Sequence, residues 1–375
     1  MIKNKTKNII SLFDGVSCAQ VAIKDLGYEV NYYASEIDPY AIEITKHNHP
    51  NTIQLGSVTD LFFIDDTFYK KGQNLLGEIL LKDGQEYKKL KKVNGEIDLL
   101  IGGSPCQDLS IAKKNREGLA GKRSGLFYEY VRLLKEIKPK YFILENVASM
   151  PKEAQEEISK ELGVQPVMIN AALVSAQNRK RLFWVGKLDE LGTYQQVPIE
   201  LPEDRNIFLK DILLDGETED LKSLCITATY HKKNERDFLK KASGQMIRIG
   251  DIGTSAQAHR VYSPEGKSVA LSALGGGQGA KTGLYLIQRP RGKNKGGIHT
   301  EKSPTVTTSS FEHNNHLQNG NTLRKLHPIE CERLQGLPDN YTLGGGTSNT
   351  QRYKMAGNAF NVEVVKHIIK TLWKE

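Results

Sequence analysis

Cys106 stands directly behind a breaker cluster, Gly102-Gly103-Ser104-Pro105, which itself closes the apolar run Leu99-Leu100-Ile101. The run reads as a buried strand of the kind found in parallel sheets, and the cluster forces a tight turn where backbone can approach a ligand closely. A thiol on the loop beyond such a strand occupies the edge at which open α/β sheets bind ligands. Thiolate sulfur is a strong nucleophile, so the chemistry on offer is covalent catalysis. A cysteine so placed is often only a small buried residue, and Cys106 gains weight from its company downstream. The apolar run Tyr141-Phe142-Ile143-Leu144 ends in Glu145-Asn146-Val147. Gln177-Asn178-Arg179-Lys180-Arg181 precedes another run, Leu182-Phe183-Trp184-Val185. Gln177, Arg179 and Arg181 alternate, so in extended chain all three face one side. Opposite a carboxyl and a cysteine they form an anion or carbonyl clamp.

These groups need a sheet to bring them together, and the chain supplies one. Asn8 to Phe13 reads as a first strand, Asp14-Gly15 as its turn, and Ser17 to Leu26 as an amphipathic helix, a generic nucleotide-binding opening with backbone N–H groups at a helix start. A second strand, Val30 to Ser35, ends in Glu36-Ile37-Asp38, where an acid either accepts hydrogen bonds from ribose hydroxyls or caps the next helix. Residues 51–60 form a third unit, and residues 61–94, polar and Lys-rich, read as a helix and loop. After Cys106, residues 111–125 hold five basic residues and three glycines with no apolar period. That segment is either a solvated loop or a lid whose lysines and arginines meet phosphates. Leu126 to Ile137 reads as a helix closed by Lys138-Pro139, and Val167 to Ala172 and Leu182 to Val185 complete the sheet. The fold class expected is α/β, a doubly wound and mostly parallel sheet. Strand and helix cease to alternate from Lys187 to Asn321, which suggests a smaller, irregular β-rich domain. Leu326 to Asn340 carries a Pro-started helix stopped at Gly336, and Val362 to Trp373 a closing helix.

Composition bounds the alternatives. With 375 residues, 38% hydrophobic and 26% charged, the chain has core enough for one large and one smaller domain. A formal charge of +8 favours a polyanionic partner. The four cysteines, Cys18, Cys106, Cys225 and Cys331, lie far apart without metal-ligand spacing, which argues against a zinc site or disulfide scaffold and suits a reducing interior. No apolar run approaches a membrane span and no signal peptide is evident, so a soluble cytoplasmic protein is expected. The Gly-x-Gly-x-x-Gly fingerprint is absent, which weighs against a nicotinamide enzyme.

Gly102-Gly103-Ser104-Pro105-Cys106, Glu145-Asn146-Val147 and Gln177-Asn178-Arg179-Lys180-Arg181, in that order, resemble the catalytic motifs of DNA (cytosine-5)-methyltransferases. The likeness runs from about residue 9 to 368, apart from a variable segment between 187 and 322. It is closest to the stand-alone prokaryotic or phage type, while Phe13-Asp14-Gly15 and Ser104-Pro105-Cys106 are similar to the eukaryotic de novo enzymes. The resemblance implies a class I S-adenosylmethionine-dependent methyltransferase fold divided as 1–186 catalytic and cofactor-binding, 187–322 target recognition, and 323–375 a return segment completing the catalytic domain. Cys106, Glu145, Arg179 and Arg181 would be catalytic. Phe13, Asp14, Gly15, Glu36, Ile37, Ser57, Asp60, Pro105, Leu126, Asn358 and Ala359 would hold S-adenosylmethionine. Where the family usually has Asp to meet the adenine amino group, this chain has Ser57, with Asp60 the nearest acid. Gln107, Ser110, Lys113, Lys114, Arg116, Gln177 and Arg260 would touch DNA. Lys232, Lys233, Arg248, Arg289, Arg291 and Lys293 are further candidates in the recognition region. Leu326 to Asn340 matches the family's ninth motif, which leaves Cys331 structural, and the resemblance brings Gly357-Asn358-Ala359 back to the first strand. No metal is implied. The partner would be double-stranded DNA, bound by a monomer, with a cognate restriction endonuclease as a further partner of the prokaryotic type. The chain would work at the nucleoid, or in the host cytoplasm if phage-encoded.

The chemistry implied is nucleophilic. A Cys106 thiolate adds to C6 of cytosine and turns C5 into a nucleophile. Glu145 in its acid form holds N3 and the exocyclic amine, and Arg179, supported by Arg181, holds the O2 side or orients the thiolate. The cytosine must leave the stack to reach such a pocket. A related tRNA type usually carries Pro-Pro-Cys and a Cys-Phe-Thr element. This chain has Ser104-Pro105-Cys106 and lacks the second, so DNA is favoured. The remaining alternative is a DNA-binding relative without catalysis.

Overall fold

The computed structural model describes residues 6–71, 78–82, 85–105, 125–214, 222–223, 225–228, 230, 246–248, 285–288, 297–299, 315–318 and 323–374. The chain opens with β1 (Lys7–Leu12), α1 (Cys18–Asp25), β2 (Val30–Ser35), α2 (Pro39–Asn48) and β3 (Ile53–Gln54). Four short strands come next, β4 (Leu61–Ile64), β5 (Thr67–Lys71), β6 (Ile79–Lys82) and β7 (Gln85–Lys92). Then come β8 (Leu99–Gly102), α3 (Leu126–Ile137), β9 (Tyr141–Val147), α4 (Lys152–Leu162), β10 (Pro166–Asn170), β11 (Lys180–Leu188) and β12 (Tyr194–Gln196). The principal sheet runs β10-β11-β9-β8-β1-β2-β3, with β12 added on β11. Pairings from β3 through β9 are parallel, and β11 enters antiparallel to β9, β10 and β12. The expected α/β class, doubly wound and mostly parallel, is what the chain adopts. The sheet also continues past residue 186, because β11 runs to Leu188 and β12 comes after it.

Alternation along each strand builds two cores. Ile9, Leu99, Ile101 and Ile143 turn to one face, where α1, α2 and the C-terminal helix cover them. Ile10, Leu12, Leu100, Phe142 and Leu144 turn to the other, against α3 and α4. These strand residues are wholly buried, as the near-continuous apolar runs of a two-sided sheet require. α3 spans the residues its sequence foretells and is stopped by Lys138 in a left-handed conformation (φ 48°) ahead of Pro139.

Residues 61–94 do not form the helix and loop expected from their polarity. They make a four-stranded antiparallel sheet, ordered β4-β5-β7-β6. Leu61, Phe63 and Phe68 bury one face in the α3 core, and six lysines (Lys70, Lys71, Lys88, Lys89, Lys91 and Lys92) share β5 and β7 with the aromatic residues Tyr69 and Tyr87. The signals were an Asp65-Asp66 turn with both residues at positive φ and an Asp83-Gly84 pair between β6 and β7. The high lysine content masked the period of two.

Between residues 197 and 322 the described strands are β13 (Met246–Arg248), β14 (Tyr285–Gln288), β15 (Gly297–His299) and β16 (Asn315–Gln318). β17 (Leu323–Lys325) pairs with β13 and leads into α5 (Pro328–Leu334), α6 (Asn349–Asn358) and α7 (Val362–Leu372). α5 begins with Pro328 under a His327 and Glu330 capping box. α6 was not anticipated, although Ser348 and Gln351 form a capping box at its start. α7 lays Val362, Val365, Ile368, Ile369 and Leu372 into the core shared with α1, so the end of the chain packs on its beginning.

Candidate active site

Strand order reverses at β1. From there β2 and β3 lie on one side, β8 and β9 on the other, and the crevice at the carboxyl ends of β1 and β8 is where such sheets accept ligands. Register puts Leu12 beside Gly102, so the Phe13-Asp14-Gly15 turn and the Gly103-Ser104-Pro105 turn leave the sheet side by side.

One half of the crevice is built around Glu36. The Gly15 N–H donates to its Oε2 at 2.7 Å, and the N–H groups of Ile37 and Asp38 donate to Oε1 at 2.7 and 2.8 Å. The carboxylate is thereby fixed in direction while Oε2 keeps acceptor capacity. Ile37 beside it is 72% exposed. Phe13 and Ser17 hold positive φ values (56° and 58°), a backbone conformation disfavoured outside glycine that recurs at functional turns. Asp14 turns away from the crevice and is buried, accepting hydrogen bonds from Tyr32 Oη at 2.8 Å and from the Ser17 hydroxyl. Burial raises its carboxyl to about 6, against the lowering effect of those hydrogen bonds. Ser57 Oγ pairs with Thr59 Oγ1 at 2.8 Å, and Thr59 Oγ1 reaches Asp60 at 3.3 Å. Asn358 is exposed and Ala359 buried at the end of α6. Leu126 is half-buried at the head of α3 and Pro105 half-buried at the end of its turn.

The other half gathers Glu145, Arg181 and Gly103. Arg181 Nε lies 2.8 Å from Glu145 Oε1, with both side chains largely enclosed. A Cβ added to Gly103 would meet Glu145 Oε2 at 3.1 Å and the Phe360 ring at 2.8 Å, so only glycine lets the turn before Cys106 lie against this carboxyl. Asn146 Nδ2 steadies the same turn through Ser104 Oγ at 3.2 Å.

Arg179 stands directly before β11 and Arg181 near its start, and their duties differ. Arg179 is buried, and its guanidinium donates to the carbonyls of Ile226 (3.1 Å), Gly357 (3.2 Å) and Ala359 (2.8 Å). It ties the return segment to the sheet, and burial, then the Arg181 charge, pull it below its usual range. Expected to act with Arg181 in support, Arg179 instead spends these donors on backbone, and it is Arg181 that meets Glu145. Both also reach Cys225 Sγ, Arg179 at 3.4 Å and Arg181 at 3.9 Å. Gly357 passes so close to Thr227 that a Cβ would fall 2.2 Å from its carbonyl carbon. Gln177 was expected at the DNA. Its side chain is fully enclosed, with no hydrogen-bond partner among the described residues, and its backbone is bridged to Ser223. Asn146, Phe360 and Cys225 were given no role from sequence. Asn146 lies within the Glu145-Asn146-Val147 motif and Phe360 adjoins Ala359, whereas nothing in the chain marks Cys225.

Cys106, Gln107, Ser110, Lys113, Lys114, Arg116 and Arg260 lie outside the described residues, as do Lys232, Lys233, Arg289, Arg291 and Lys293. Cys331, on α5, is wholly buried, and burial pushes its thiol well up. Among the described residues no helix is long and apolar enough to cross a membrane, and no group of three or more His, Cys, Asp or Glu side chains is placed to hold a metal ion.

Known proteins are similar to this chain in fold and in sequence. The fold resembles the Entamoeba histolytica methyltransferase EhMeth (TM-score 0.55, 14% identity, 99% of this chain and 98% of that one) and S. pombe Dnmt2 (TM-score 0.54, 13% identity, 98% of each). In sequence, the Type II methyltransferase M.HhaI of Haemophilus parahaemolyticus is 28% identical over 388 aligned positions, covering 98% of this chain and 96% of its own. The orphan methyltransferase M.SPRI of Bacillus phage SPR is 25% identical, covering 97% of each chain. A family model described as C-5 cytosine-specific DNA methylase matches residues 7–374. The chain therefore belongs to the C-5 cytosine-specific DNA methylase family.

Proposed function

We propose that this protein transfers a methyl group from S-adenosylmethionine to C5 of a cytosine in duplex DNA. The observation that carries the reading is the adjacency of the two half-sites. The fixed Glu36 carboxylate and the Glu145–Arg181 pair flank turns that leave the sheet at neighbouring positions, Leu12 and Gly102.

The first half suits the cofactor. Glu36 Oε2 can accept from a ribose hydroxyl, exposed Ile37 offers an apolar surface to a purine, and Asn358 and Ala359 would close the methionine end. Phe13, Gly15, Pro105 and Leu126 would line the walls. Asp14, turned inward, would support the turn rather than touch the ligand. Ser57 and Asp60, hydrogen-bonded through Thr59, would stand at the adenine. S-adenosylmethionine, when bound, supplies an electrophilic methyl group.

The chain's own residues do the rest. Cys106, three residues beyond Gly103, would add its thiolate to C6 of the cytosine and place electron density on C5. Glu145 would hold N3 and the exocyclic amine, dispersing charge from the ring. Arg181 would orient that carboxyl, and Arg179 would keep the 357–359 turn in place. Loss of the C5 proton and departure of Cys106 would then restore the ring. The pocket requires an extruded base, with Lys113, Lys114 and Arg116 meeting backbone phosphate nearby. Gln107 and Ser110 would line the opening. Target recognition would fall to residues 187–322, less the strand ends that complete the central sheet, with Arg260 and Arg248 among candidate contacts.

A duplex bearing 5-fluorocytosine in the target tests the mechanism, because fluorine cannot leave as the proton does. The expected result is a stable adduct on Cys106 by peptide mass spectrometry, absent in Cys106→Ala, with cofactor affinity nearly unchanged in that variant. Bisulfite sequencing of plasmid from expressing cells reports substrate, atom and site together. Labelled methyl on tRNA and none on duplex DNA would replace the DNA reading with an RNA one.

A further inference from the structure

The neighbouring guanidinium groups of Arg179 and Arg181 repel each other, and the Arg181 charge contributes to drawing Arg179 below its usual range. Glu145 Oε1 relieves this at Arg181, yet in the proposed reaction that carboxyl turns to the base. A second acceptor sits where it is then needed. Cys225 Sγ lies 3.4 Å from Arg179 Nη1 and 3.9 Å from Arg181 Nη2, on a segment bridged to residues 176–178 by Ser223 N–H to Ala176 O (2.7 Å) and Asn178 N–H to Ser223 O (2.8 Å). Gly357 packing on Thr227 fixes the other end of the segment.

We propose that Cys225 is a positioning residue for methyl transfer, its sulfur bridging the two guanidiniums so that Arg181 stays aimed along Glu145 when the carboxyl engages cytosine. The inference rests on the methyl-transfer reading. Among the described residues the charged groups facing the sulfur are Arg179, directly before β11, and Arg181 of β11, with Glu145 of β9 behind Arg181. Burial works to raise the thiol, and the guanidinium charges, Arg179's ahead of Arg181's, outweigh it and hold it below the ordinary cysteine range. The neutral thiol has only a weak donor to offer, to Ile226 O at 3.6 Å. The thiolate accepts from both arginines.

Charge, not shape, therefore decides the outcome of substitution. In full-length enzyme, Cys225→Ala and Cys225→Ser are expected to lower kcat about tenfold with KM for DNA and cofactor affinity little changed, and Cys225→Asp to recover most of the loss. A structural role predicts the opposite order, because serine is nearly isosteric with cysteine and aspartate is not. Serine performing as well as aspartate, or better, overturns the proposal. Peptide-resolved alkylation of wild-type Cys225 by iodoacetamide across pH 6–10 gives a readout independent of activity and of variant folding. A midpoint below about 8.5 is expected, and one at or above that value overturns the proposal. Wild-type enzyme that places no labelled methyl on any cytosine substrate removes the functional reading, and this proposal with it, whatever the thiol titration gives.

Discussion

The Arg181 guanidinium and the Glu145 carboxyl meet at 2.8 Å across a diagonal of two antiparallel strands, for Arg181 stands opposite Val147 and Glu145 opposite Phe183. Ladder register thus sets the pair, and each side chain is held by its own strand. Glu145→Gln keeps the shape and removes the acid. It is expected to lower kcat by about 10²–10³-fold with cofactor affinity unchanged, measured by methyl incorporation beside calorimetric titration of the cofactor.

Arg179 gives the contrasting result. Its guanidinium holds three backbone carbonyls inside the protein, and hydrogen bonds to charged groups are each worth about 1.5–3 kcal/mol. Arg179→Lys is expected to lose about 2–4 kcal/mol of stability in urea melts and to weaken cofactor binding through the loosened 357–359 turn. Unchanged stability would mean that those bonds are not formed in solution.

Adjacent glycines should behave differently. A Cβ at Gly102 meets the Leu12 carbonyl at 2.9 Å, which is backbone and cannot move, whereas a Cβ at Gly103 meets side chains, Phe360 and Glu145. Gly102→Ala is expected to lower the thermal midpoint by several degrees, a cost of about 1–3 kcal/mol. Gly103→Ala should fold normally and lose about tenfold or more in kcat, because the Glu145 carboxyl is displaced. Circular dichroism melts and initial rates on the two variants separate the outcomes.

Asp14 makes stability depend on pH. Burial raises its carboxyl from 3.8 to about 6, so the folded state holds the proton more tightly than the unfolded chain does. Its favourable contribution is complete below pH 4 and is lost as pH rises through 6, a change of about 3 kcal/mol from the size of the shift. Asp14→Asn cannot ionise. The stability of wild type relative to this variant should fall between pH 4 and 7 in urea titrations and be level above that. A difference that stays constant across the range would show that Asp14 titrates in the fold as it does in the unfolded chain.

The sequence by itself determined the sheet, its approximate strand ends and the motif residues at its carboxyl edge. Strands buried on both faces leave apolar runs that glycine and proline punctuate, as in Leu99 to Pro105 and Tyr141 to Val147. α3 was legible to the residue because an amphipathic run ends at Lys138-Pro139. The 61–94 sheet was not, since charge obscured its alternation. Nor could the chain divide labour between two arginines at alternate positions, Arg179 and Arg181. That depended on which neighbour reached each of them, Glu145 from β9 to Arg181 and the 357–359 carbonyls from α6 to Arg179. Cys225 reached both from a segment more than forty residues along the chain. Local periodicity encodes which face a side chain takes, but only tertiary packing decides what stands opposite it, and hence which group is left to do chemistry.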